Sequence, residues 1–102
     1  DDMFVCGGEN IFPGEVESLL EKHASISQAV VLPFAHDSKG EVPYAFVVPE
    51  KDAELKEDNV KLYALENGPA YAHPRRVFIL REIPLTGTNK TDRKALRALA
   101  AD

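Results

Sequence analysis

Hydrophobic spacing changes several times along this chain, and each change marks an element. Residues 3–6 (MFVC) and 9–12 (ENIF) are short β-capable runs on either side of Gly7-Gly8, which predicts a small hairpin. Val16, Leu19, Leu20 and His23 then recur at i, i+3, i+4 and i+7, one stripe of a helix over about 13–23. Pro13 suits its first turn, where a missing N–H is harmless. Glu15 and Glu17 early, and Lys22 and His23 late, complement the helix dipole.

The period then shortens. Residues 26–34 (ISQAVVLPF) and 42–48 (VPYAFVV) are rich in β-branched and aromatic residues and are joined by the polar turn 36–40, which predicts an antiparallel pair. Pro33 and Pro43 are expected at strand ends or bulges near that turn, where no ladder bond is lost. Residues 57–67 read as a helix stopped by Asn67-Gly68-Pro69. Residues 76–80 (RVFIL) are a third strand, and 84–90 a loop without an apolar anchor after Leu85. Thr91 is the expected cap of a last helix over 92–101, with Ala95, Leu96 and Leu99 inward. These elements predict an α+β domain: a small antiparallel or mixed sheet of about three strands with helices packed on it, plus a short N-terminal β-hairpin.

Composition narrows the class. At 102 residues, 44% hydrophobic and 28% charged, the chain is one ordinary globular domain rather than a disordered or fibrous one. Its apolar runs are too short for a membrane span. A net charge of −5 argues against nucleic acid as a partner. The lone Cys6 points to a reducing, cytoplasmic compartment. The start at Asp1-Asp2, without methionine, suggests a piece of a longer protein.

Three places carry residue types suited to chemistry. The stretch Thr86-Gly87-Thr88-Asn89-Lys90-Thr91 is small and polar, with one lysine just before a helix, a composition that favours an anion. It lacks P-loop spacing, and a solvated loop explains the same residues. Gly7-Gly8 allows a ligand close to the backbone, or is a plain turn. Tyr71, His73, Arg75 and Arg76 make a basic and aromatic cluster that could hold a phosphate and stack a base, or a solvated strand entry. Arg93, Lys94 and Arg97 read as a solvated helix face. His23, His36 and His73 lack metal-ligand spacing, so no metal site is expected.

Taken in order, DDMFVCGGENIFPGEVESLL, LPFAHDSKGEVPYAFVV and YAHPRRVFILREIPLTGTNKTDRKAL resemble the C-terminal domain of the adenylate-forming enzyme superfamily. That superfamily includes acyl- and aryl-CoA synthetases, peptide-synthetase adenylation domains and firefly luciferase. The resemblance covers essentially the whole chain. It implies that residues 1–102 are a mobile domain whose partner is a large N-terminal adenylation domain. The intact enzyme would activate a carboxylic acid with ATP and Mg2+, then pass the acyl group to CoA. None of these would be bound by this domain alone, so the fragment is expected to be inactive.

Residue by residue, the resemblance makes Lys90 the catalytic lysine of adenylate formation. An ammonium there stabilises the charge that gathers where carboxylate meets α-phosphate. Asn89 departs from the family, which usually has glycine before this lysine. Asp1 matches the hinge, Gly7 and Gly8 the pantetheine tunnel, and Tyr71, His73 and Arg75 the segment that holds the CoA nucleotide. His73 stands where related ligases tend to have a basic residue. The alternatives are an adenylation domain that loads a carrier-protein phosphopantetheine, and a free-standing binding module.

Overall fold

A computed structural model describes residues 2–101. The elements, in order, are β1 (Phe4–Cys6), β2 (Glu9–Ile11), α1 (Pro13–Glu21), β3 (Ile26–His36), β4 (Gly40–Pro49), α2 (Glu57–Asn67), a 3-10 turn (Ala70–Ala72), β5 (Arg76–Ile79) and α3 (Arg93–Ala100). The expected α+β class holds, and the sheet is mixed. β4 is its spine, with β3 antiparallel along one side. On the other side β5 runs parallel opposite Tyr44 to Val47. The hairpin β1–β2 is not separate from the sheet: Cys6 pairs with Gly40 at the start of β4, making five strands in one sheet.

Burial explains the near-continuous apolar runs of β3 and β4, because both faces of the sheet are covered. Ala29, Val31, Val42, Ala45 and Val47 face Val16 and Leu20 of α1 and Val60 and Ala64 of α2. Leu32, Phe46 and Val48 face the other way, onto Ile83 and Leu96 of α3. Aromatic stacking extends this second layer, with Phe34 on Tyr44 at 4.1 Å and Phe46 on Phe78 at 5.2 Å.

The two prolines lie inside their strands, directly opposite one another, not at strand ends. Pro43 O accepts from Arg75 N at 2.9 Å, on the β5 side. A strand residue sends its N and O to the same side, so the Pro33–Pro43 pair is a non-hydrogen-bonded one and no β3–β4 bond is missing. Pro33 O points off the sheet edge and accepts from Arg97 of α3 at 2.8 Å.

Three glutamates close the exposed sheet edges, which would otherwise offer free N–H groups to other strands. Glu21 and Glu17 of α1 accept from Ala29 N and Val31 N of β3, each at 2.9 Å. Glu57 of α2 accepts from Val77 N of β5 at 2.8 Å. Burial pushes the Glu17 carboxyl up from its usual range, against the pull of the Val31 N–H. Burial acts upward on Glu57 as well, but the Val77 N–H and the charges of Lys61 and Arg76 outweigh it and hold Glu57 low.

Helix ends differ from the sequence expectation in α1 and α3, while α2 spans Glu57–Asn67 as expected. α1 stops at Glu21, so Lys22 and His23 lie beyond it, with Lys22 N bonded back to Leu19 O. α2 ends at Gly68 in extended backbone, where a Cβ would lie 2.8 Å from Leu19; close packing demands the glycine, not positive φ. Asp92, not Thr91, caps α3, accepting from Ala95 N at 3.0 Å. Among the described residues no helix is long and apolar enough to cross a membrane.

Candidate functional site

The Lys90 loop is a self-closed turn. Leu85 and Thr91 bridge its ends, and Asp92 N bonds to Pro84 O at 2.9 Å. Within it, Thr86 N donates to Lys90 O at 2.7 Å and Asn89 N to Thr86 O at 2.9 Å. The Thr86 hydroxyl accepts from Thr88 N and Lys90 N, each at 3.3 Å. Asn89 sits at φ 63°, a left-handed conformation that glycine adopts freely and asparagine tolerates. Asparagine here therefore keeps a backbone conformation that glycine would also adopt. Among the described residues, no polar side chain holds the exposed Lys90 ammonium. The loop presents a cation into open space.

Gly7 and Gly8 form the two-residue turn of the β1–β2 hairpin, with Cys6 and Glu9 paired on either side. Their φ angles of 56° and 88° are the double positive-φ signature of the turn that matches strand twist. Gly7 N donates to Lys39 O at 2.8 Å, so this turn abuts the β3–β4 turn. A Cβ at Gly7 would meet only the Lys39 side chain, and one at Gly8 nothing within 4 Å. Inside this domain, conformation rather than space requires the glycines.

The 71–75 segment lies at the same end of the sheet. It enters β5, whose first residue, Arg76, sits opposite Tyr44 near the beginning of β4. Tyr71 is half-exposed and lines a groove of about 890 Å³ shared with Met3, Phe12 and Gly68. Arg75 folds inward: Nη1 donates to Tyr71 O at 3.2 Å and to His73 O, and Nη2 to Cys6 Sγ at 3.6 Å. His73 Nδ1 lies 2.6 Å from Ala70 O and 3.2 Å from Arg75 Nη1. Burial lowers the His73 pKa, and the Arg75 and Lys61 charges lower it further against the Ala70 bond. Charge on His73 is thus disfavoured relative to a free imidazole.

The structure brings Gly7, Gly8, His73 and Arg75 to one end, where Arg75 reaches Cys6, while Tyr71 lines a groove that runs to Asp2 and Arg93. Leu85 and Thr91 share a cleft with Gln28, Ala29 and Val30 at the beginning of β3, whereas Gly7 meets Lys39 just past its end. Six residues of extended strand between Val30 and His36 correspond to roughly 20 Å. Asp1, the expected hinge, lies outside the described residues. Its neighbour Asp2 pairs with Arg93 of α3 at 2.9 Å. Arg93 and Arg97 are thus not a merely solvated face, since Arg97 also lies over the Phe34 ring at 5.0 Å. Among the described residues, no three His, Cys, Asp or Glu side chains converge as metal ligands.

The residue that type and spacing do not mark is Cys6, the one cysteine of the chain. Its alternation with Phe4 along β1 was the available sign that it points inward; nothing local pointed to Arg75.

Comparison with known proteins locates the chain in a family. Residues 15–90 match the AMP-binding enzyme C-terminal domain. The peroxisomal trans-cinnamate:CoA ligase of Petunia hybrida is 38% identical over 97% of this chain and 17% of its own length. The 2-succinylbenzoate–CoA ligase of Bacillus cereus is 34% identical over 99% of this chain and 20% of its own. Among solved structures, apo MatB from Rhodopseudomonas palustris superposes with a TM-score of 0.87 at 25% identity, over 100% of this chain and 20% of that one. The chain thus spans about a fifth of the length of the relatives it matches.

Proposed function

Because the chain belongs to the AMP-binding enzyme C-terminal domain family, we propose that it is the mobile domain of an AMP-forming acyl- or aryl-CoA ligase, alternating between two orientations on a larger adenylation domain. Asp1 is the hinge in this reading. In the first orientation the Lys90 loop closes on ATP and a carboxylic acid. The carboxylate attacks the α-phosphate, pyrophosphate leaves, and the Lys90 ammonium stabilises the negative charge shared between them. In the second, the Gly7-Gly8 turn lines the path of the pantetheine thiol. Tyr71, His73 and Arg75 serve the CoA nucleotide. The thiol attacks the acyl carbonyl and AMP leaves.

Magnesium would accompany the ATP phosphates. The pockets for ATP, magnesium and the acid belong to the larger domain, so this chain alone is expected to be inactive. The reading includes a cytoplasmic setting, in keeping with one buried free thiol.

The separation of the Lys90 loop from the glycine turn carries this reading. The loop lies by the beginning of β3 and the glycine turn past its end, with a strand stretch of roughly 20 Å between those two points, and groups at opposite ends of a strand cannot both reach one reaction centre without reorientation. The test is Lys90→Ala in the intact enzyme. Adenylation, read as pyrophosphate exchange, should fall by about 100-fold or more. Thioester formation from supplied acyl-adenylate should stay within about twofold. Equal loss of both half-reactions overturns the assignment.

A further inference from the structure

We propose that Arg75 is a positioning residue: its guanidinium fastens the 71–75 segment to the strand leading into Gly7-Gly8, so that the two parts of the thiol-acceptor end move as one. The inference rests on the function proposed above and adds a role distinct from any contact with the CoA phosphates.

Three observations converge on it. The guanidinium bridges three points on two segments: the carbonyls of Tyr71 and His73, and the sulfur of Cys6. Cys6 is buried to 1% exposure and immediately precedes Gly7, so the contact reaches the turn itself. The partners are sixty-nine positions apart in sequence, so the contact joins two distant segments. Backbone reinforces the arrangement, since Arg75 N donates to Pro43 O beside the β4 start to which β1 is also paired. Only the planar fork of arginine suits this geometry. A lysine keeps the charge but offers one nitrogen, which cannot span two carbonyls and a sulfur.

Pantetheine as the thiol acceptor separates positioning from phosphate contact, because it carries no nucleotide. In the intact enzyme, Arg75→Ala should lower kcat/KM for pantetheine about tenfold, the cost of losing the guanidinium's three contacts. Arg75→Lys should be equally impaired with pantetheine. Cys6→Ala, which keeps the arginine and removes only the sulfur, should lose about threefold and covers the case in which the arginine variants fail to fold. Adenylation should stay within about twofold throughout. In Arg75→Ala the NMR titration midpoint of His73 should rise, because a neighbouring positive charge is gone.

Full pantetheine activity in Arg75→Ala, restoration by Arg75→Lys, a matching fall in adenylation, or an unmoved His73 midpoint would each overturn the inference. The wild-type enzyme is measured first with CoA. If it forms no acyl-CoA, the proposed function fails and takes this inference with it. If it does, and the variants match it with pantetheine, the inference fails alone.

Discussion

The two ends of this sheet present their candidate chemistry in different ways. The Lys90 loop is held by its own backbone and one threonine hydroxyl, and it offers a flexible side chain to open space. The hairpin end is held across the fold, with Gly7 bonded to the β3–β4 turn and Cys6 tied to Arg75. A single cation that must reach into another domain needs a short rigid stalk and a long side chain. A channel for a thin thiol arm needs backbone fixed from several sides and no side chain at all. The difference predicts that changes at the first end act on one residue's reach, while changes at the second act on a surface.

The largest effect that could break this contrast is at Gly8. Gly8→Leu places a side chain in space that is empty within this domain. The fold itself should lose only about 1–2 kcal/mol, the cost of a positive φ for an L residue. If the turn lines a pantetheine path, thioester formation should fall by about 100-fold while pyrophosphate exchange persists. Intact CoA transfer in a folded Gly8→Leu enzyme would show that the turn is only a turn.

Next in size is Asn89. Asn89→Gly should leave adenylation within about twofold, because the φ of 63° suits either residue. Asn89→Val puts a β-branched residue where left-handed backbone costs it about 1–2 kcal/mol or more. Lys90 would shift with the loop, and adenylation should fall about tenfold, with thiol transfer spared. If the valine variant kept full adenylation, the loop would not be the rigid stalk described here.

Smaller again is the ion pair between Asp2 and Arg93, which joins the segment leading into β1 to the helix that follows Lys90. Both side chains are more than half exposed, and such pairs contribute about 0.2–1 kcal/mol. Arg93→Ala should therefore leave both half-reactions within about twofold and lower the melting temperature only slightly. A large loss in either half-reaction would show that the two ends are coupled through this pair.

Much of the framework was legible because it is local. The Gly7-Gly8 turn, the stripe of α1 and the β-branched runs of β3 and β4 depend on neighbours within a few positions. The errors fall where a partner distant in sequence decides. Pro33 and Pro43 looked like strand ends because period alone does not say which way a backbone carbonyl points; Arg75 and Arg97 settle that from other elements. Asp92 displaced Thr91 as the cap of α3 by one residue, a choice that loop closure onto Pro84 makes. The hairpin joined the sheet through a single pair, Cys6 with Gly40, too slight to leave a pattern. The candidate residues themselves stood out by type, whereas their division into two ends came from the parallel placement of β5 beside β4.

The smallest effect is protonic and belongs to the hairpin end. His73 is pushed below its ordinary value of 6.5, first by burial and then by Arg75 and Lys61. Between that lowered value and 6.5 the unfolded chain binds more protons at this residue than the folded one. Its contribution to stability is therefore fully present above pH 6.5 and is lost as pH falls through the folded value. An NMR titration should place the His73 midpoint below 6.5, and thermal unfolding should show a slight loss of stability as pH drops from 7 toward 5.5. His73→Gln keeps a polar side chain without a titrating one and should flatten that part of the profile. A His73 midpoint well above 6.5 would mean that the ring carries charge at neutral pH, giving the 71–75 segment a cation like that of the Lys90 loop and erasing the contrast between them.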